Sequence, residues 1–85
     1  MTKAEKILEK MRRNPRDWRI EDLESLAVRF GLEVRKPGGS HAVFFHEATG
    51  RQLSVPAKRP IKPIYVTAFI TLLDEIEVND EQDEV

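Results

Sequence analysis

The residues best suited to chemistry lie at 39–41, where Gly39-Ser40-His41 leads into the apolar run Ala42–Phe45. The preceding Pro37-Gly38 favours a tight turn, because proline presets φ and glycine tolerates positive φ. Histidine is the side chain best suited to proton transfer near neutral pH. The chain has two histidines, His41 and His46, and no cysteine. Acid–base chemistry in this protein would therefore depend on very few groups.

The turn and its surroundings predict one kind of reaction, the cleavage of RNA through its own 2′-hydroxyl. His41 would exchange the proton, while backbone amides of the turn and nearby cations would bind the phosphate. The hydroxyl of Ser40 would orient the imidazole or donate to the phosphate. Spacing alone leaves open that His41 is a turn histidine that bonds only to the backbone. The expected RNA-binding residues are Arg35, Lys36, Gly38, Gly39, Ser40, Lys58, Arg59 and Lys62.

Strand parity separates the two histidines. In a strand that begins at 41, positions 41, 43 and 45 share one face and positions 42, 44 and 46 share the other. Without a bulge, His41 and His46 therefore cannot act as an acid–base pair. We expect His46, next to a turn, to be an exposed or capping residue.

Three helices are predicted from apolar residues at helical spacing. The first begins at a capping box, Thr2-Lys3-Ala4-Glu5, and ends near Asn14-Pro15. The second runs from about Ile20 to Phe30, with Gly31 as its C′ residue. The last runs from about Pro63 to Ile76. Its apolar face comprises Tyr65, Phe69, Leu72, Leu73 and Ile76.

Three strands are predicted between the second and last helices, at 32–36, 41–46 and 52–55. The basic, proline-rich stretch 56–62 is predicted to be a loop. This order predicts an α+β fold of two layers, in which a three-stranded antiparallel sheet packs on helices and leaves one face open. Residues 1–77 would form one domain, and residues 78–85 an acidic, disordered tail.

Charge is segregated along the chain, although the net charge is only −1. Residues 1–65 hold all fourteen Lys and Arg with eight acids, a net of +6, whereas residues 66–85 hold seven acids and no base. A basic body favours an anionic partner such as nucleic acid.

Composition also excludes several classes of protein. A chain without cysteine has neither a disulfide framework nor a thiolate metal site, and its two histidines and dispersed carboxylates show no zinc spacing. We therefore expect no metal and no cofactor. No apolar run approaches the length of a membrane span, and the first residues contain no hydrophobic signal region. The expected location is the cytoplasm.

A resemblance to a known family is carried by residues 30–41, which read Phe30-Gly31-Leu32-Glu33-Val34-Arg35-Lys36-Pro37-Gly38-Gly39-Ser40-His41. This segment resembles the core signature of HicA toxins, which belong to type II toxin–antitoxin systems. That family shows a helix ending in an apolar-Gly pair, a short strand with Arg, and Gly-Ser-His entering the second strand. The similarity covers roughly residues 20–76. Further matches are Phe44-Phe45-His46 followed by Gly50, Leu53-Ser54-Val55-Pro56, and Lys62-Pro63-Ile64-Tyr65-Val66.

The resemblance implies a double-stranded-RNA-binding-like fold with an α-β-β-β-α core. It also implies an endoribonuclease that cleaves mRNA, arrests translation and is neutralised by a cognate HicB-like antitoxin. The family's catalytic histidine falls on His41. Many members carry a second histidine after the Val-Pro of the third strand, where this chain has Ala57-Lys58. The N-terminal helix and the acidic tail are additional to the minimal family length.

Two other functions stay open at this point. One is a non-catalytic RNA-binding module on the same fold, in which the turn and the basic loop grip phosphates and 2′-hydroxyls. The other is a protein-interaction domain, a toxin relic that retains only antitoxin binding. The missing second histidine favours these alternatives, whereas the intact Gly-Ser-His element favours the enzyme.

Overall fold

A three-stranded antiparallel sheet and three helices form the structure, as the sequence predicted for an α+β fold. The computed structural model describes residues 2–58 and 60–83, with side chains described up to residue 76. In chain order the elements are α1 (Lys3–Arg13), α2 (Ile20–Arg29), β1 (Glu33–Arg35), β2 (His41–His46), β3 (Arg51–Pro56) and α3 (Pro63–Asp83).

Helix α1 begins at the predicted capping box. Thr2 Oγ1 accepts the Glu5 N–H at 3.2 Å, and Glu5 Oε1 accepts the Thr2 N–H at 3.2 Å. The bond from the Thr2 backbone lowers the pKa of the Glu5 carboxyl, so the stability that it contributes is lost as the pH falls through that lowered pKa. Arg12 forms an ion pair with Asp74, which ties α1 to α3.

Helix α2 ends in a Schellman motif at the predicted C′ glycine. Gly31 has φ +81°, a conformation that glycine adopts without a Cβ penalty. The Gly31 N–H donates to the Val28 carbonyl at 3.1 Å, and the Leu32 N–H donates to the Ala27 carbonyl at 2.9 Å. Leu32 is buried. The motif therefore sends the chain directly from α2 into the short strand β1.

The sheet has the order β1-β2-β3, with β2 in the centre. Val34 pairs with Phe44 across β1 and β2, and Phe44 pairs with Leu53 across β2 and β3. Because opposite residues of an antiparallel pair share a face, these three side chains lie on one side of the sheet. Phe44 is fully buried, and its ring centroid lies 5.0 Å from that of Phe69 in α3. This face is the one that packs on the helices.

One hydrophobic core joins all three helices to the sheet. Its largest side chains, each less than 2% exposed, are Phe44, Phe69, Met11, Leu23, Leu26, Ile61, Leu73, Ile76, Val55 and Val66. Helix α1 is thus an integral part of the packing. Trp18, in the connection between α1 and α2, packs at the edge of this core and donates its Nε1–H to the Asn14 carbonyl at 2.6 Å.

Helix α3 is longer than the sequence predicted. Its end was expected near Ile76, and in the structure the helix continues to Asp83. No proline or glycine follows Pro63 in the chain, so nothing in the covalent backbone stops the helix. Arg51 of β3 pairs with Glu75 of this helix at 2.7 Å.

Candidate functional site

The face of the sheet opposite the helices is exposed and carries the predicted catalytic histidine. His41 lies on it, followed along β2 by the half-buried Val43 and Phe45. The register places Arg35 beside Val43, and Pro56 beside His41 on the third strand. The eight residues of this open face are Glu33, Arg35, His41, Val43, Phe45, Gln52, Ser54 and Pro56.

His41 is exposed and is held through one of its two ring nitrogens. Its Nδ1 lies 3.2 Å from Ser40 Oγ. Among the described residues, the Nε2 atom has no hydrogen-bond partner. A general base needs a lone pair on the reacting nitrogen. In that state Nδ1 carries the proton and donates to Ser40, and Nε2 is left free to take a proton from a substrate.

The turn before His41 is formed by Pro37 and two glycines. The Gly39 N–H donates to the Lys36 carbonyl at 3.4 Å, and Gly38 has φ +74°, the value that the second central residue of a type II turn requires. Gly39 also has a positive φ, of 79°. The Gly39 amide is therefore used within the turn. Of the expected phosphate-binding backbone, Gly38 and Ser40 remain the candidates.

Two of the predicted cations have partners within the protein. Arg35 Nε lies 3.1 Å from Glu33 Oε1, and its guanidinium carbon lies 5.5 Å from the centroid of the Phe45 ring. Lys36 Nζ lies 2.5 Å from Oε2 of Glu24 on α2, and this oxygen is buried from solvent. Arg35 therefore stays on the open face as part of a Glu-Arg-Phe stack, whereas Lys36 is turned toward α2.

The loop 57–62 lies next to the turn of His41. The Ala57 N–H donates to the Ser40 carbonyl at 3.0 Å, and the Ile61 N–H donates to the Trp18 carbonyl at 3.0 Å. Lys58 and Lys62 are exposed. Both line a groove of about 510 Å³. Arg59, a predicted RNA-binding residue, lies outside the described residues.

His46 is separated from His41, as strand parity predicted. It is half-buried on the helix-facing side of β2, and its Nδ1 lies 2.9 Å from the Thr49 hydroxyl. The Gly50 N–H donates to the His46 carbonyl at 2.8 Å. His46 therefore closes the hairpin between β2 and β3 and does not face the open side of the sheet.

The groove also contains residues that the sequence did not mark as functional. Tyr65, in the first turn of α3, packs partly buried against the core, as its place on the apolar face of that helix predicted, and it also lines the groove. Pro56 was placed outside the third strand, but it is the last residue of β3 and the partner of His41. The position of Pro56 follows from the hairpin. Once His46 lies opposite Arg51, the antiparallel register places His41 opposite Pro56.

Comparison with known proteins does not assign this chain to a family. The chain matches no protein-family model, no curated protein and no solved structure.

Two further observations concern the described residues alone. No group of three or more His, Asp and Glu side chains converges there as a metal site would require. Neither α3 nor either shorter helix combines the length and the hydropathy of a membrane-spanning helix. The open face and the adjoining loop thus offer the imidazole of His41, the adjacent hydroxyl, the Glu33–Arg35 ion pair and the ammonium groups of Lys58 and Lys62.

Proposed function

We propose that this protein is an endoribonuclease toxin of the HicA type, part of a type II toxin–antitoxin system, which cleaves mRNA and so arrests translation. The observation that carries the proposal is the state of His41. Its imidazole is exposed at the turn that adjoins the basic loop, contacts Ser40 through Nδ1, and has no partner for Nε2 among residues 2–58 and 60–76. A positioned imidazole and exposed cations are what cleavage through a 2′-hydroxyl requires.

This mechanism accounts for the transferred proton and for the leaving group without a metal ion. Nε2 of His41 takes the proton of the 2′-hydroxyl, and the 2′-oxygen attacks the adjacent phosphorus. The bond from phosphorus to the 5′-oxygen breaks, and that oxygen takes a proton from the imidazolium or from water. The products are a 2′,3′-cyclic phosphate and a 5′-hydroxyl. Lys58 and Lys62 neutralise the charge that develops on the phosphate.

The fold that we propose for this activity is the double-stranded-RNA-binding-like fold. In its support, the elements α2 to α3 follow the order α-β-β-β-α, and the sheet order is β1-β2-β3. Helix α1 is then an N-terminal addition that extends the core. The open face, which in this fold is not covered by helices, is left for the substrate.

We further propose two macromolecular partners and a cytoplasmic location. Single-stranded mRNA is the substrate, and a HicB-like antitoxin is the inhibitor that blocks access to His41. Co-expression with the product of a neighbouring small gene tests the second partner, because a cognate antitoxin restores growth. Restored growth together with a stable complex of the two proteins is the expected result.

A non-catalytic RNA-binding module is the second candidate, and one observation favours it. The open face presents a single histidine, since His46 points to the helix-facing side. An enzyme with one imidazole must either use that group for both proton transfers in turn or leave one of them to water or to a lysine. In the binding module, the same loop would hold RNA and leave it intact.

Induced expression in a bacterial host separates the two functions. A ribonuclease toxin arrests growth and shortens the lifetimes of mRNAs, and the His41→Ala variant at equal expression does neither. A binding module leaves mRNA lifetimes unchanged in both cases. His46→Ala serves as the matched control, because it removes the other histidine, and it is expected to stay toxic.

A further inference from the structure

A groove beside β3 adjoins the turn that carries His41. Its volume of about 510 Å³ falls within the range of pockets that bind small organic ligands. One end of the loop that forms it is fixed to the Ser40 carbonyl, and the other end is fixed to the Trp18 carbonyl. The groove is lined by Pro56, Lys58, Pro60, Ile61, Lys62, Pro63 and Tyr65.

The walls of this groove suit a flat, largely apolar group. Three of its lining residues are prolines, whose fixed φ and missing N–H make the wall rigid and poor in donors. Ile61, at 1% exposure, is the buried part of the lining. Tyr65, which is partly buried against the core, adds an aromatic ring and a polar hydroxyl to the lining. An aromatic ring beside a rigid apolar wall is the kind of surface on which a nucleobase stacks.

The charge around the groove suits the rest of a nucleotide. Lys58 and Lys62 both line it, and both are exposed. A base that stacks on Tyr65 therefore has two ammonium groups nearby for its flanking phosphates. In contrast, a purely apolar ligand would gain nothing from these two cations.

The groove also lies close enough to His41 for one RNA strand to occupy both. Pro56 lines the groove and is the direct partner of His41 across β2 and β3. In an antiparallel pair the Cβ atoms of such partners are about 4.5–5.5 Å apart, and both side chains point to the same face. The next residue, Ala57, is bonded to Ser40. A nucleotide in the groove is therefore adjacent to a phosphate at His41.

We infer that this groove is a base-binding subsite, in which Tyr65 stacks the base of a nucleotide neighbouring the scissile phosphate of single-stranded RNA. The inference rests on the proposed function and deepens it, because it names the residue that recognises the substrate next to the cut. Stacking accepts every base to some degree, so the subsite would favour particular bases by stacking strength and fit in the groove.

The test compares RNA with bases and RNA without them. Fluorescently labelled 2′-O-methyl hexanucleotides cannot be cleaved through the 2′-oxygen, so their affinity can be measured at equilibrium. The tightest binder among the four homopolymers is compared with a hexamer of abasic residues that carries the same phosphates. Loss of one stacked base is worth about 5- to 150-fold in affinity, so wild type is expected to bind the abasic hexamer that much more weakly.

Variants at Tyr65 assign this difference to the groove. Tyr65→Leu should reduce the preference for bases, and Tyr65→Phe should keep it, because the ring is retained. Ile64→Ala is the matched control, since Ile64 is the adjacent helix residue, is 71% exposed and does not line the groove. Thermal melting of each variant checks that it is folded.

Cleavage of unmodified RNA by wild type, measured in parallel, separates this inference from the proposed function. If wild type cleaves RNA but binds the abasic hexamer as tightly as the others, the subsite is wrong and the ribonuclease stands. The subsite is equally wrong if Tyr65→Leu keeps the full preference for bases. If wild type cleaves nothing but binds the hexamer with bases more tightly, and this preference depends on Tyr65, the subsite is confirmed and the protein is an RNA-binding module. If no hexamer binds, the subsite is wrong, and if RNA is also left intact, the proposed function fails with it.

Discussion

Ser40 Oγ lies 3.2 Å from Nδ1 of His41, so the candidate catalytic imidazole is held by the residue directly before it in the chain. Neighbouring residues within a strand point to opposite faces, and such a contact is then out of reach. It forms here because Ser40 belongs to the turn and β2 begins only at His41. The glycines before Ser40 therefore contribute to the site by letting the turn end at this residue.

We predict that Ser40→Ala lowers kcat for RNA cleavage and leaves KM nearly unchanged. The hydroxyl orients the imidazole, and a hydrogen bond of this kind contributes about 0.5–1.5 kcal/mol, or about 2- to 10-fold in rate. Steady-state kinetics on a short RNA measure both constants. Ser40→Thr keeps the hydroxyl and should restore most of the rate. A rise in KM with kcat unchanged would instead make Ser40 a phosphate ligand.

Two adjacent phenylalanines should respond in opposite ways to truncation. Phe44→Ala leaves a cavity in the core beside Phe69 and should lower the free energy of unfolding by about 3–5 kcal/mol. Phe45 lies half-buried on the open face under the Arg35 guanidinium, so Phe45→Ala should cost much less. Chemical denaturation of both variants measures the difference. Equal losses would mean that the open face is covered in the folded protein.

The salt dependence of RNA binding should identify the cations that contact phosphate. For single-stranded RNA, each lost contact lowers the slope of log K against log salt concentration by about 0.7. The double variant Lys58→Ala with Lys62→Ala should therefore lower it by at most about 1.4. Lys36→Ala is the control, because its ammonium is already paired with Glu24 and should change the slope least. A slope that the loop variant leaves unchanged would remove the loop from the RNA site.

Cleavage should need the 2′-hydroxyl and no divalent ion. In the proposed mechanism the 2′-oxygen is the nucleophile and His41 moves the proton, so no metal-bound water has to attack. We expect full activity in excess EDTA, a 2′,3′-cyclic phosphate at the new end, and no cleavage at a site that carries a 2′-O-methyl group. Activity lost in EDTA and restored by magnesium would point to a metal mechanism instead, as would cleavage of the methylated bond.

The elements of the fold could be predicted from sequence because their signals are local. The capping box at Thr2 and Glu5 starts α1, and Gly31 ends α2 in the motif that its positive φ permits. The apolar run 42–45, which follows the glycine turn, gave β2 its observed bounds, and strand parity put His41 and His46 on opposite faces. Each of these features is determined by residues within a few positions of one another, which is the range over which spacing is informative.

The partners of side chains could not be predicted, because they depend on how distant elements pack. Lys36 was expected to bind RNA, but Glu24 reaches it from α2 once that helix lies beside β1. Tyr65 has the spacing of a core residue and packs partly against the core, but its second role in the groove lining depends on where the loop before α3 lies. The position of Arg35 over Phe45 likewise depends on the register between β1 and β2.

The proposed function depends on proton transfer by His41, and the cleavage rate of purified protein is the direct test. Wild type, His41→Ala and His46→Ala are incubated with the same single-stranded RNA, and initial cleavage rates are compared at equal concentrations of folded protein. His41 is exposed, so its removal should change the free energy of unfolding by no more than about 0.5 kcal/mol. We predict that His41→Ala lowers the rate by ~10²–10⁴ and that His46→Ala stays within a few-fold of wild type. A folded His41→Ala protein that cleaves at the wild-type rate would show that His41 is not the catalytic residue.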